Sequence, residues 1–309
     1  MKIKSKNPKR VLIVLLSMLI IFSCMPVSVM SASATDTAPN AAPDITVTID
    51  NGESVTLKDA DSDSYYEIGT ADELYAFAYA VNGGNTSINA KLTENIVVNS
   101  VINYWFPTYE RVWVPIGNEN NPYKGNFDGN GNTISGLFFC DYESNYIALF
   151  GYSSGVIKNT GVINSYFGGN HCIAGITGYN TGVVMNCYNS SEMRSIYGTI
   201  GGIAGHNIGS IINCYNTSLI SNAYSPSAGI AGSCQGGTIS HCYNTGRIDS
   251  PDGYASGIVG ISYDGDATIT NCYNTGEILA YTAGGILGAY LGGIIKNCYN
   301  IGDMNHSFM

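Results

Sequence analysis

A Gly-Ile-x-Gly tetrad returns at Gly175, Gly202, Gly229, Gly257 and Gly285, with successive copies 27, 27, 28 and 28 residues apart. Self-similarity at that period restricts a chain to architectures in which one short unit stacks on the next. An earlier, degenerate copy is Ala148-Leu149-Phe150-Gly151. After each tetrad comes a second signature: Asn186-Cys187-Tyr188-Asn189, Asn213-Cys214-Tyr215-Asn216, His241-Cys242-Tyr243-Asn244, Asn271-Cys272-Tyr273-Asn274 and Asn297-Cys298-Tyr299-Asn300.

Two residues before each of these stands Val184, Ile211, Ile239, Ile269 or Ile295, and the position between varies freely, as Met185, Ile212, Ser240, Thr270 and Lys296 show. Apolar, variable, polar is the alternation of a short strand with one buried face. A third strand is expected around Ile248 and Ile278. Three short strands separated by Gly and Asn leave no room for a helix in the unit. Each turn then lies on the last at about 4.8 Å, with identical residues in ladders along the axis. The expected fold is all-β, a right-handed parallel β-helix with rungs of roughly 27 residues and a short N-terminal capping helix. A propeller blade needs four strands and about 40 residues, so the period excludes it. The recurring Gly is read as backbone that bends sharply or takes positive φ. Phosphate cradles do not recur in this manner.

Upstream, Ile45-Thr46-Val47-Thr48-Ile49 alternates as a strand, and Asn51-Gly52 signals a hairpin to Ser54-Val55-Thr56-Leu57. Thr70 with Glu73 forms a capping box. Leu74, Phe77, Ala78 and Val81 then share one helical face until Gly83-Gly84. Such a helix suits the open end of a stack, which otherwise exposes strand edges. Residues 90–98 read as a strand, and the Gly129-Asn130-Gly131-Asn132 turn marks the first rung. The organisation expected is a signal peptide over 1–34, a linker over 35–44 and a hairpin over 45–64. The cap helix with the first rungs follows over 65–147, and the repeats fill 148–309.

Lys2, Lys4, Lys6, Lys9 and Arg10 precede the apolar run from Val11 to Met25, and Ala32-Ser33-Ala34 offers the small residues of a cleavage site. This is a secretory signal with cleavage expected after Ala34, too short to anchor the mature chain in a membrane. Ile21-Phe22-Ser23-Cys24 also resembles a lipobox, with bulky Phe22 where a small residue is usual. The signal holds five of the 13 basic residues and none of the 23 acids, so the mature chain is more acidic than the −10 of the whole sequence. Nucleic acid is therefore not an expected partner. Charged residues make up 12% of the chain, while the 45% hydrophobic content supports a sizeable core and argues against disorder.

Tyr65-Tyr66-Glu67-Ile68 with the Thr70 helix, Trp113-Val114-Pro115-Ile116-Gly117, the Asp128-Gly129-Asn130-Gly131 turn and the Gly-Ile-x-Gly copies together resemble the GLUG-repeat surface proteins. These include the non-catalytic GLUG region of bacterial immunoglobulin A metallopeptidases. The resemblance runs from about Tyr65 to Asp303. It implies an exported, surface-associated β-helix and supplies no catalytic residue.

The metallopeptidase motif His-Glu-x-x-His is absent, and His171, His206, His241 and His306 do not coincide in the rung register. No metal or cofactor is expected. Asp249 with Asp252 and Asp264 with Asp266 are the carboxylate pairs that glycoside hydrolysis would use. No Arg or Lys cluster accompanies them, and they read as solvated loop acids. Asp59, Asp61 and Asp63 suggest calcium, but the glycine of the loop's sixth position is missing and Thr70 stands where the bidentate Glu belongs. A solvated acidic turn is the expectation.

The Cys ladder is more informative. Strict alternation from Ile211 turns Asn213 and Tyr215 inward and leaves Cys214 exposed, along with its four counterparts. A bend at each Asn is therefore expected, turning Cys inward as a small hydrophobe and Tyr outward, with the Asn side chain satisfying turn amides. Side chains in a parallel ladder point alike, so free, buried thiols are expected instead of disulfides. On this reading every thiol of the mature chain is protected until unfolding. Tyr188, Tyr215, Tyr243, Tyr273 and Tyr299 then form an outward strip beside Asn189, Asn216, Asn244, Asn274 and Asn300. Such a strip suits stacking on sugars or docking a protein, or simply covers the outer sheet.

The functional expectation is a non-enzymatic, exported adhesion or ligand-binding protein with glycans or surface proteins as partners. The alternatives are a carbohydrate-active β-helix enzyme and a fragment of a larger surface protein. No catalytic, cofactor-binding, metal or ligand-binding residue is assigned from the sequence.

Overall fold

The computed structural model describes residues 41–100, 111–222, 224–263, 267–290 and 292–306. The expected signal, including Cys24 and the cleavage site, lies outside these residues, as does the Asp264 and Asp266 pair. The described chain is nearly all β, a parallel β-solenoid with one short helix. Three parallel sheets of nine, six and sixteen strands run along the stack, beside a separate two-stranded hairpin.

The alternation read from the sequence sets the register. In the nine-stranded sheet Phe127, Ile157, Val184, Ile211, Ile239, Ile269 and Ile295 are consecutive partners. In the six-stranded sheet the tetrads align as Phe150, Thr177, Ala204, Ala231, Val259 and Leu287. The third strand appears where expected, with Ile220, Ile248 and Ile278 in register and fully buried. Stacking like on like gives each side chain a neighbour of its own shape, which keeps the interior close-packed.

The stack begins earlier than the Gly129–Asn132 turn. Tyr65–Ile68 is already a strand of the nine-stranded sheet, paired in parallel with Asn89–Leu92. The connection between them is helix α1, Ala71–Asn82, since parallel neighbours need a crossover longer than a hairpin. Both halves of the Thr70–Glu73 capping box form. Phe77 of α1 meets Phe127 at 6.1 Å and Tyr75 meets Trp113 at 5.2 Å, so the helix closes the core with rings. The hairpin of Ile45–Thr48 and Ser54–Leu57 packs on α1. Arg111 ties the two, pairing with Asp50 and with Asp72 at 2.5 Å while its guanidinium lies 3.6 Å over the Tyr75 ring. At the other end the last rung leaves Ile295 44% exposed, whereas Ile269 beneath it is buried.

The turn at Asn130-Gly131 has φ of 52° and 82°, the paired positive values that favour Asn-Gly. The tetrad glycines need a different explanation from the one expected. Gly175, Gly202, Gly229, Gly257 and Gly285 are not among the positive-φ residues. A Cβ on each would instead stand 2.2 to 2.6 Å from atoms of Asn189, Asn216, Asn244, Asn274 and Asn300 respectively. The hydrogen of glycine makes space for an inward asparagine.

Candidate ligand-binding surface

Each signature opens on a bend. Asn186, Asn213, His241, Asn271 and Asn297 have φ between 52° and 56°, the left-handed region that Asn tolerates better than most side chains. One such residue reverses the alternation, so the Cys after it points inward. Cys187, Cys214, Cys242 and Cys272 are fully buried and Cys298, on the last rung, partly so. All are free thiols. The amides of Cys187, Cys214, Cys242 and Cys272 donate to the sulfur of the next rung, as from Cys214 N to Cys242 Sγ at 3.5 Å. Burial pushes the Cys214 thiol well above its ordinary value, which makes it a poor nucleophile.

The two asparagines of the signature have exchanged the roles expected of them. The bend residues do not bind turn amides; their side chains hydrogen-bond one another on the outside, from Asn186 Nδ2 to Asn159 Oδ1 at 2.9 Å and from Asn213 Nδ2 to Asn186 Oδ1 at 2.9 Å. The second asparagine does that work inside. Asn244 Nδ2 donates to Asn274 Oδ1 at 2.7 Å and to Gly246 O at 2.8 Å, while its Oδ1 accepts from Asn216 Nδ2 at 2.8 Å and from Gly246 N at 3.3 Å. Asn189, Asn216, Asn244 and Asn274 are fully buried, so they cannot stand beside the tyrosines as surface amides.

The tyrosines do face outward. Ring centroids of Tyr188, Tyr215, Tyr243, Tyr273 and Tyr299 are separated by 4.9, 4.8, 4.9 and 5.3 Å, with planes within 5° of parallel. The rings therefore cover one another's faces, and the Tyr188 ring leans over Gly161, where a Cβ would stand 2.2 Å from it. Face-stacking on a sugar is closed along the ladder's length. What remains is a row of ring edges and hydroxyls, beside the outer amides of Asn186, Asn213 and Asn271. Burial raises the Tyr215 and Tyr243 hydroxyls further above neutrality, so they stay protonated donors.

A second aromatic row, unforeseen from the sequence, runs on the six-stranded sheet. Tyr152 stacks on Tyr179 at 4.4 Å, Tyr179 on His206 at 4.7 Å, and His206 Nδ1 lies 2.6 Å from Ser233 Oγ. These are register partners, so a full alignment of the rungs would have revealed them.

The acidic turn is occupied by a lysine. Asp59, Asp61, Asp63 and Glu67 form the group of potential metal-ligating side chains found among the described residues. Lys91 Nζ lies 2.5, 2.7 and 3.3 Å from Asp61, Asp63 and Glu67. Asp59 instead accepts the amides of Ala42, Asp63 and Ser64. Partial burial alone lowers the Lys91 pKa, but the three carboxylates outweigh it and hold the ammonium protonated. The turn thus holds one internal cation against three of its four carboxylates and stays net acidic. Asp249, by contrast, has an exposed arginine beside it. Arg247 reaches both Asp249 and Glu277 at 3.4 Å.

No family profile matches this sequence. Over 56 residues it is 38% identical to a protein of Evansella cellulosilytica that bears the provisional name Gly-rich membrane protein. That match covers 18% of this chain and 6% of the relative, so the chain spans a small part of the relative's length. Among the described residues no helix is long and apolar enough to cross a membrane. A solved structure from Bacteroides ovatus, provisionally named an immunoglobulin A1 protease, superposes with a TM-score of 0.60 at 21% identity, over 76% of this chain and 75% of that one. The likeness is one of fold. This chain and that neighbour share a parallel β-solenoid architecture.

Proposed function

We propose that this chain is an exported, surface-associated binding protein without catalytic activity, and that its tyrosine ladder is the edge that meets a partner. The observation that carries the reading is the unbroken outward row from Tyr188 to Tyr299, with donors repeating at the rung spacing. A row of that kind suits an extended polymer, a glycan chain or a strand of protein, lying along the axis and contacted through hydroxyls and ring edges. The basic, apolar leader supports export, and free buried thiols suit a fold whose stability rests on stacking. The Evansella relative's name supports placement at an envelope, and the likeness to the Bacteroides ovatus structure supports the β-solenoid fold on which the ladder is built. The absence of a His-Glu-x-x-His sequence supports a non-enzymatic reading.

The test is binding of the mature chain to arrays of glycans and of extracellular proteins, with Tyr215→Ala/Tyr243→Ala beside it. Binding that the double variant loses, with no product released, supports the reading. Binding that survives the double variant removes the ladder from it, and turnover of a bound glycan overturns the non-enzymatic assignment.

A further inference from the structure

The far side of the last rung is uncovered. Its inward positions Ile295 and Met304 are 44% and 53% exposed, whereas their register partners one rung earlier, Ile269 and Ile278, are 1% and 0% exposed. Ile301, which lies between them in the chain, is 72% exposed. Among the described residues the strands Ile294–Lys296 and Met304–His306 pair with the preceding rung alone, so the outer edge of each faces away from the stack. Asn300 Nδ2 donates to Gly302 O at 2.9 Å, but the next-rung acceptor that each earlier asparagine meets has no counterpart among the described residues. An apolar patch joined to open strand edges is a surface suited to being covered.

Charge and symmetry decide between occupants. Residues 285–306 carry one formal base, Lys296, and one formal acid, Asp303, in a chain whose net charge is −10. This end is therefore neutral while acids accumulate elsewhere, so two copies of the chain meet here without like-charge repulsion. A strongly basic partner finds no excess of acid to hold it. At the opposite end α1 and its rings close the core, which shuts off a head-to-tail contact. A contact between two like ends stops at two copies.

We infer that the last rung is a self-association surface through which two copies of this chain dock end to end about a two-fold axis. Turning one copy end over end reverses its strands, so the facing edges run antiparallel. Laid in that sense, the strand Ile294–Lys296 of one copy and Met304–His306 of the other place Ile295 against Met304 and Lys296 against Asp303. The two-fold makes each contact twice. The apolar pair carries the core across the junction, and the ion pair fixes the register. The inference does not draw on the tyrosine ladder as a binding edge, and either can fail without the other.

The experiment is sedimentation velocity on the mature chain over about 1 to 100 μM, with far-UV spectra to confirm that each variant is folded. Met304→Glu sets a charge in the apolar contact at a position that is already half exposed. Lys296→Asp sets like charges against Asp303, and Lys296→Asp/Asp303→Lys restores opposite ones. A wild-type dimer that Met304→Glu abolishes, that Lys296→Asp weakens about tenfold and that the double reversal recovers supports the proposal. A wild-type chain that stays monomeric across the range overturns it. So does a dimer that Met304→Glu leaves unchanged, or one that the double reversal fails to recover.

Discussion

Gly229→Ala separates two explanations for the glycines of the repeat. Gly229 has an ordinary backbone conformation, so if glycine served only to release the backbone, alanine would cost little there. The structure predicts otherwise. The new Cβ would stand 2.3 Å from Asn244 Cβ and 2.4 Å from Gly257 O, against the roughly 3.5 to 4.0 Å of a carbon contact. Overpacking of that kind costs about 1 to 3 kcal/mol. Displacing Asn244 also strips partners from the Gly246 amide, with each buried orphan costing about 1 to 3 kcal/mol. The expected loss is about 2 to 6 kcal/mol, read as a lower midpoint in urea unfolding followed by far-UV dichroism with the slope unchanged. Gly131→Ala is the comparison: φ is 82° and nothing lies within 4 Å of its Cβ, so only backbone strain of about 1 to 2 kcal/mol is expected. A Gly229→Ala cost below that of Gly131→Ala would refute the steric argument.

Thiol titration of the folded chain should find one fast site, Cys140, which is exposed, and protection of Cys187, Cys214, Cys234, Cys242 and Cys272 until denaturant is added. This corrects the expectation that all thiols are hidden. Cys172, whose pKa burial pushes to about 11, should react slowly at pH 8 and faster as pH rises toward that value. Burial lowers the His206 pKa, so the unfolded chain binds the proton more readily. Stability should be full above about pH 6.5 and decline as pH falls below that unfolded value, and His206→Phe should flatten the decline in thermal melts across that range. Millimolar calcium should leave the melting temperature of the wild-type chain unchanged, because Lys91 occupies the space among the carboxylates; a clear rise would show that a cation displaces it.

The period, the strand positions and the inward Cys were legible in the sequence because each follows from chain-local rules: alternation, one left-handed residue, and the poor fit of exposed thiols to an exported protein. The identity of the inward asparagine was not. Both asparagines of Asn213-Cys214-Tyr215-Asn216 offer the same amide, and only the reversal at Asn213, carried two residues further, turns Asn216 into the core. The tetrad glycine was misread for the same reason, since its partner is Asn216 across the rung and not its own backbone. The faces of the tyrosines were consumed by stacking, a contact between residues 26 to 30 positions apart.

The two asparagine ladders have opposite directions. Inside, each Nδ2 donates toward the C-terminal rung, from Asn189 to Asn216, Asn244, Asn274 and Asn300. Outside, the donors point toward the N-terminus, from Asn297 to Asn271 and from Asn213 to Asn186 and Asn159, and this line ends on Asp128 Oδ1 at 2.9 Å. A carboxylate only accepts, so Asp128 is a proper terminus for arriving donors and would be a fault at the opposite end. The inner line starts differently: the rung before Asn189 offers Val162, and Asn189 Oδ1 takes the Ser191 amide instead. With dipoles running both ways, the moments of the two lines oppose each other. Every interior rung of the inner line both gives and receives, so a whole repeat can be spliced into the middle of that line without orphaning an amide, while its end rungs are fixed by the sense of the bonds.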